Sequence, residues 1–218
     1  MPFWQRAVVM IAAAGLALSS EAYAAEQDLS VNARLLLAAR NGDANLLARS
    51  IKEGAAANAR NRLGETALLI ALKKNDLAMA RTMLDAGTNV NLAALNGVTP
   101  LMAAAYAGQT EMVALLLAKG AAIRALDRLQ KNAMTYAAGA GNTEIVGILI
   151  AKGVDPNAVY HNDLTALMWA AGFGKTSTVK VLLDAGARVD LKDDRGKTAS
   201  DMAREGKFEE TVKLLEGR

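Results

Sequence analysis

This chain encodes an all-α solenoid of about six stacked helix-turn-helix units with hairpin-like finger loops between them. Three features lead there. A glycine returns every 33 residues, at Gly54, Gly87, Gly120, Gly153 and Gly186, and a constant period of this size marks units that bury a continuous core by packing on their neighbours. Between those glycines the apolar residues keep helical spacing. Apolar residues make up 52% of the chain and aromatics only 4%, so alanine and leucine carry the load, as in helical proteins.

The chain opens with the pattern of a secretory signal. Arg6 supplies a positive start, Ala7 to Leu18 is an uninterrupted apolar run, and Ala22-Tyr23-Ala24 fits the small-x-small rule for signal peptidase. Cleavage after Ala24 is expected. The run is shorter than the roughly 20 apolar residues a membrane helix needs, so no membrane association is expected once the signal is removed. The expected location is the periplasm, or the exterior where there is no outer membrane. With no cysteine in the chain, neither a lipidated N-terminus nor a disulfide is available, and packing alone must supply stability. Residues 25–31 read as a linker and 32–218 as the repeat domain.

Within each unit the residue types recur in phase. Thr66, Thr99, Asn132, Thr165 and Thr198 can accept a hydrogen bond from the free N–H groups of a first helical turn, so each starts a helix. The next position is Ala67, Pro100, Ala133, Ala166 or Ala199, and proline suits it because the missing N–H would have been unpaired there. Asn75, Gly108, Gly141 and Gly174 tolerate a left-handed backbone and end that helix. A second helix follows with Ala80, Val113, Val146, Val179 and Val212 on the face of Leu84, Leu117, Ile150 and Leu183. Helices this short do not survive alone in water, so stacking must hold them. Ala38, Ala71, Ala104, Ala137, Ala170 and Ala203 repeat without exception, and a methyl group lets neighbouring helices approach closely. Between units, Val90-Asn91, Ile123-Arg124, Pro156-Asn157 and Val189-Asp190 read as extended dipeptides. Turn-rich fingers such as Asp127-Arg128-Leu129 and Asp193-Asp194-Arg195-Gly196 follow them.

Gly97-Val98-Thr99-Pro100-Leu101-Met102-Ala103-Ala104-Ala105, with Gly120-Ala121, resembles the ankyrin repeat in both period and signature. The resemblance runs over about residues 32 to 216 without an insertion, and it implies an N-terminal cap unit at 32–60, internal units at 61–93, 94–126, 127–159 and 160–192, and a C-terminal cap at 193–218. The histidine of the family signature is replaced by Leu69, Met102, Thr135, Met168 and Asp201, so its usual hydrogen bonds between hairpins are not carried over. Ser200 and Glu216 break the apolar slots of the last unit, as an outermost face in contact with water requires.

Composition removes several function classes. The formal charge is +3, and Lys and Arg alternate with acids along the chain, leaving no basic stripe for a nucleic acid. Gly172-Phe173-Gly174-Lys175-Thr176 ends like a phosphate-binding loop, but Trp169 stands where the motif needs glycine and no strand precedes it. Gly139-Ala140-Gly141 fails as a dinucleotide fingerprint because Glu144 replaces the third glycine. His161 is the only histidine, so neither a nitrogen and sulfur metal cage nor a nucleophilic triad has its parts. Asp193-Asp194 and Glu209-Glu210 read as solvated surface. No catalytic, cofactor-binding or metal-binding residue is assigned.

What remains is a surface. The resemblance implies a partner against the concave side, formed by the finger tips and the exposed ends of the first helices. The tips are Arg62-Leu63, Leu95-Asn96, Arg128-Leu129, His161-Asn162 and Asp194-Arg195. The helix positions are Lys73-Lys74, Tyr106-Ala107, Gly139-Ala140 and Gly172-Phe173. Leu95, Val98, Tyr106, Leu129, Leu164 and Phe173 form an apolar stripe, with Arg62, Lys73 and Lys74 at one end, and exposed apolar patches with polar rims mark interaction sites. Leu95, Leu129 and Leu164 fit equally well as finger-to-finger packing. Tyr106 and Phe173 lie in slots where other units carry lysine or glycine, so the core does not dictate them. Trp169 and Tyr136 share a slot with Leu37, Ile70 and Met202 and read as packing bulk. The function expected is that of a monomeric, exported, non-catalytic module binding a folded protein, as a stabiliser, inhibitor or immunity-type adaptor. An enzyme or small-ligand protein with a site between units is the rival.

Overall fold

A computed structural model describes residues 29–217. The signal expected at 1–24 and the linker up to residue 28 lie outside the described residues. Among the described residues twelve α-helices follow one another as successive pairs: α1 (Val31–Asn41) with α2 (Ala44–Lys52), α3 (Ala67–Lys73) with α4 (Leu77–Asp85), and α5 (Pro100–Tyr106) with α6 (Thr110–Ala118). Then come α7 (Ala133–Ala140) with α8 (Thr143–Ala151), α9 (Ala166–Gly172) with α10 (Thr176–Asp184), and α11 (Ala199–Glu205) with α12 (Glu209–Glu216). The first helix starts at Val31, one residue before the boundary read from the sequence, because Ser30 accepts from the Ala33 N–H as its cap. No described helix is long and apolar enough to cross a membrane.

The helix starts are those the threonine phase requires. Thr66, Thr99, Asn132, Thr165 and Thr198 each accept from the N–H three residues on, a contact worth about 1 kcal/mol per helix. The side chains that replace the family histidine return the bond at all but the first of these starts. The cap N–H donates to Met102 sulfur, Thr135 Oγ1, Met168 sulfur or Asp201 Oδ2, giving a local reciprocal cap. The glycines of the 33-residue period close the second helices with φ between 81° and 91°, a backbone that L-residues with a Cβ resist.

Each first helix packs on the first helix of the next unit, and contacts between second helices are sparser. The six alanines Ala38, Ala71, Ala104, Ala137, Ala170 and Ala203 are all fully buried, and their small volume lets the inner row approach more closely than the outer one. Fingers and first helices therefore share the tighter side of the stack. Val212, whose counterparts Ala80, Val113, Val146 and Val179 are fully buried, is only partly covered in the last pair.

The connecting dipeptides are not extended. Val90-Asn91, Ile123-Arg124 and Pro156-Asn157 sit at the centres of tight turns, closed by the N–H of Leu92, Ala125 and Ala158 on the carbonyls of Asn89, Ala122 and Asp155. Val189-Asp190 forms a bend. The reason lies in the asparagines. Asn91 Oδ1 accepts from Ala122 N and its Nδ2 donates to the Gly120 carbonyl, while Asn157 does the same with Arg188 N and Gly186. A turned backbone aims these amides at the next unit, where an extended one would aim them at solvent.

The fingers close without forming strands among the described residues, apart from one isolated bridge between Arg60 and Thr66. Asn61, Asp127 and Asp193 each accept from the N–H groups two and four residues on, side-chain turns that fix the loop. Adjacent fingers are joined by Leu95 N to Leu63 O, Arg128 N to Asn96 O and Asp194 N to Asn162 O.

Candidate concave-face interaction site

The residues expected on the surface separate into groups. Arg62 and Leu63 are exposed at the tip of the first finger, and Leu95 and Leu129 are 55% and 60% exposed. Leu95 also rests against the preceding finger, since a Cβ built on Gly64 would lie 3.1 Å from its Cγ. Val98 and Leu164 are partly buried against the core. They brace the finger bases and contribute less to an exposed stripe than the sequence reading gave them, because each immediately precedes a helix cap and follows it inward.

Tyr106 and Phe173 are 64% and 54% exposed, and the fold brings them to one groove. That groove, about 530 Å³, is lined by Tyr106, Lys131, Tyr136, Gly139, Trp169, Phe173 and Lys175 with Thr135 and Ala140. Trp169 and Phe173, four residues apart on the α9 face, stack with centroids 6.0 Å apart and planes 14° from parallel. Tyr136 on α7 meets Tyr106 on α5 edge to face, at 6.1 Å and 85°. Such pairs contribute about 0.5–1.5 kcal/mol each beyond their buried area. Lys131 lies between them, its ammonium 5.4 Å from the Tyr136 ring centroid and 5.1 Å from that of Trp169, within cation–π range.

The walls are held from behind. Tyr136 donates its hydroxyl to Asp127 Oδ2 at 2.7 Å, and the same carboxylate fixes the finger through Leu129 N and Lys131 N. Burial, with the Asp127 carboxylate beside it, pushes the Tyr136 phenol above the ordinary tyrosine range, so it stays a protonated donor. Asn142 donates Nδ2 to the carbonyls of Ala105 and Tyr106, at 2.7 and 2.9 Å, tying down the end of α5 that carries Tyr106. Lys175 lays its stem across Gly141, where a Cβ would stand 2.8 Å from the lysine Cδ. Gly139 forms the floor: a Cβ there would touch Trp169 and Phe173 at 3.6–3.8 Å.

Trp169 and Tyr136 thus do more than the packing assigned to them. Both are half-buried, as are Leu37, Ile70 and Met202 of their slot, so the slot lies at the rim of the core and each ring keeps an outer edge in the groove. The signal was present in the spacing, because positions three and four apart share a helical face. Lys131 was missed because its place in the groove depends on the finger folding over α7.

At the first finger, Glu65 accepts from Lys73 Nζ at 2.7 Å and Asn61 Nδ2 at 2.8 Å. Burial pushes its carboxyl up, but these two donors outweigh that and hold it below the usual range. Gly172-Phe173-Gly174-Lys175-Thr176 is the link between α9 and α10, with Gly174 left-handed at φ 63°. His161 sits exposed in the fourth finger. No group of three or more His, Cys, Asp or Glu that could hold a metal ion occurs among the described residues. The groove offers apolar contact and positive charge.

No curated protein matches the chain. The family described as Ankyrin repeats (3 copies) matches in three overlapping stretches, residues 35–127, 86–160 and 134–217. Ankyrin repeats generally act as protein-interaction modules, and with the repeat phases, the stacked helix pairs and this coverage, the chain belongs to the ankyrin repeat family.

Proposed function

We propose that this protein is an exported, monomeric and non-catalytic adaptor that binds a folded protein through its concave face, with the aromatic groove at the centre of the contact. One observation carries the reading: Tyr106 and Phe173 stand more than half exposed beside Tyr136 and Trp169, although the core needs none of these rings' outer faces. Aromatic anchors in pockets dominate interface energies. The apolar run and small-x-small motif before residue 25 support export to the periplasm, or beyond the cell where there is no outer membrane. Binding there would stabilise, inhibit or neutralise the partner, and all three use the same surface.

The test is cross-linking in the native compartment followed by mass spectrometry, repeated with Tyr106→Asp and Phe173→Asp combined. The double variant should melt as the parent does and lose the cross-linked protein. Retention of that protein by the folded variant would remove the concave face from the function. N-terminal sequencing of the exported chain should begin at Ala25, and a retained leader would overturn cleavage.

A further inference from the structure

The groove carries charge as well as rings, and its charge is uncompensated. Lys131 and Lys175 line it, and Arg128 stands exposed in the finger that leads to Lys131. None of the three side-chain cations has an ion pair or side-chain hydrogen bond among the described residues. Asp127, in the finger that carries Lys131, is buried and already accepts from the Tyr136 hydroxyl and the Leu129 and Lys131 N–H groups. Elsewhere on the same face Lys73 pairs with Glu65, Arg195 with Asp193, and Lys197 with Glu205. Lys131, Lys175 and Arg128 are not matched in this way.

We propose that the groove receives an acidic, aromatic or aliphatic surface segment of the protein partner, with a carboxylate between Lys131 and Lys175 and an apolar side chain against Tyr106 and Phe173. The proposal rests on the concave-face reading and gives it a chemistry. A carboxylate there would convert two unpaired ammonium groups into charge-assisted hydrogen bonds beside low-dielectric ring walls, where such bonds are strongest. Rings and lysines also suit a single-stranded nucleic acid, which binds by laying bases on open ring faces. Here Trp169 and Phe173 stack on each other and Lys131 covers Tyr136 and Trp169, which leaves Tyr106 and the outer side of Phe173 and no run of open faces for successive bases. Two separated ring surfaces and the ammonium groups are what remain, and those fit a protein segment.

The experiment selects a displayed library of random peptides on the immobilised folded chain, then measures the most enriched peptide by calorimetry. Enriched peptides should pair Asp or Glu with an aromatic or large aliphatic residue. Changing their acids to amides, or introducing Lys131→Gln or Lys175→Gln, should weaken binding by about tenfold each, the scale of one charge-assisted hydrogen bond. Lys131→Arg should restore it. Enrichment of peptides without acids, still abolished by Tyr106→Asp, would overturn the charge proposal and leave the concave-face reading standing. No enrichment, with the partner still cross-linked to the native face, would likewise overturn this proposal alone. Single-stranded oligothymidine binding that depends on Lys131 and Lys175 would overturn it in favour of a nucleic acid.

Discussion

The finger turns hold a built-in strain that can be removed one residue at a time. The last position of each turn recurs every 33 residues as Gly64, Gly97, Gln130, Asp163 and Gly196, and all five are left-handed, with φ of 75°, 85°, 55°, 57° and 77°. Gln130 and Asp163 occupy that conformation with a Cβ, at a cost of about 1–2 kcal/mol. Gln130 is exposed and its side chain makes no hydrogen bond, so Gln130→Gly forfeits no side-chain hydrogen bond. Glycine returns about 0.5–1 kcal/mol of this gain as unfolded-chain entropy, leaving a mid-range net stabilisation of about 0.75 kcal/mol. For a domain of this size that raises Tm by about 1–4 °C. The reverse change should behave oppositely. A Cβ on Gly97 would stand 2.8 Å from Arg128 N and Asp127 Cα, backbone that cannot give way without breaking the Arg128 N to Asn96 O bond between fingers. Gly97→Ala should therefore cost more than about 2 kcal/mol, the left-handed penalty plus overpacking. Urea unfolding with unchanged slope measures both. A Gln130→Gly protein no more stable than its parent, or a Gly97→Ala protein as stable as it, would refute the strain argument.

Three further outcomes follow from the same geometry. Ala137→Leu adds carbon atoms to a fully buried site in the inner helix row and should cost about 1–3 kcal/mol by overpacking, read as a Tm fall of several degrees; an unchanged melt would place the alanines away from the helix contact. Gly139→Leu should raise helix stability by up to about 1 kcal/mol while filling the groove floor against Trp169 and Phe173, so that partner binding falls while Tm does not. Acid should unfold the protein through its depressed carboxyls. Burial pushes Asp193 up, but the Lys197 and Arg195 N–H groups and the Arg195 guanidinium outweigh it, and Asp201 is lowered by the Thr198 N–H and hydroxyl. The unfolded chain then takes up protons more readily than the folded one as pH drops below the ordinary values of 3.8 for these aspartates and 4.5 for Glu65. Their stabilisation is present above that range and lost below it, so urea midpoints measured from pH 6 to pH 2 should fall there, and Asp201→Asn should flatten the fall.

The repeat phases were legible because each reports a local requirement. A threonine or asparagine satisfies a free N–H and a glycine supplies a positive φ; neither depends on distant residues, while the alanine shows its inter-unit contact by recurring in every unit. The connecting dipeptides were misread as extended because Asn91 and Asn157 choose their backbone by bonding to Gly120 and Gly186 in the following unit, which local preference does not contain. Val98 and Leu164 looked like surface residues for a similar reason: only the folded finger shows how far each turns toward the core.

Sequence by itself determined the unit, its length, the helix starts and the two exposed aromatics Tyr106 and Phe173, since hydrogen-bonding and periodicity within some 33 residues suffice for these. Tertiary structure alone decided that Tyr136 and Trp169 complete one groove, that Lys131 reaches across from its finger to sit over both rings, and that it forms no ion pair among the described residues. Those facts join residues of successive units, and their positions are set by how closely buried alanines let one layer settle on the next.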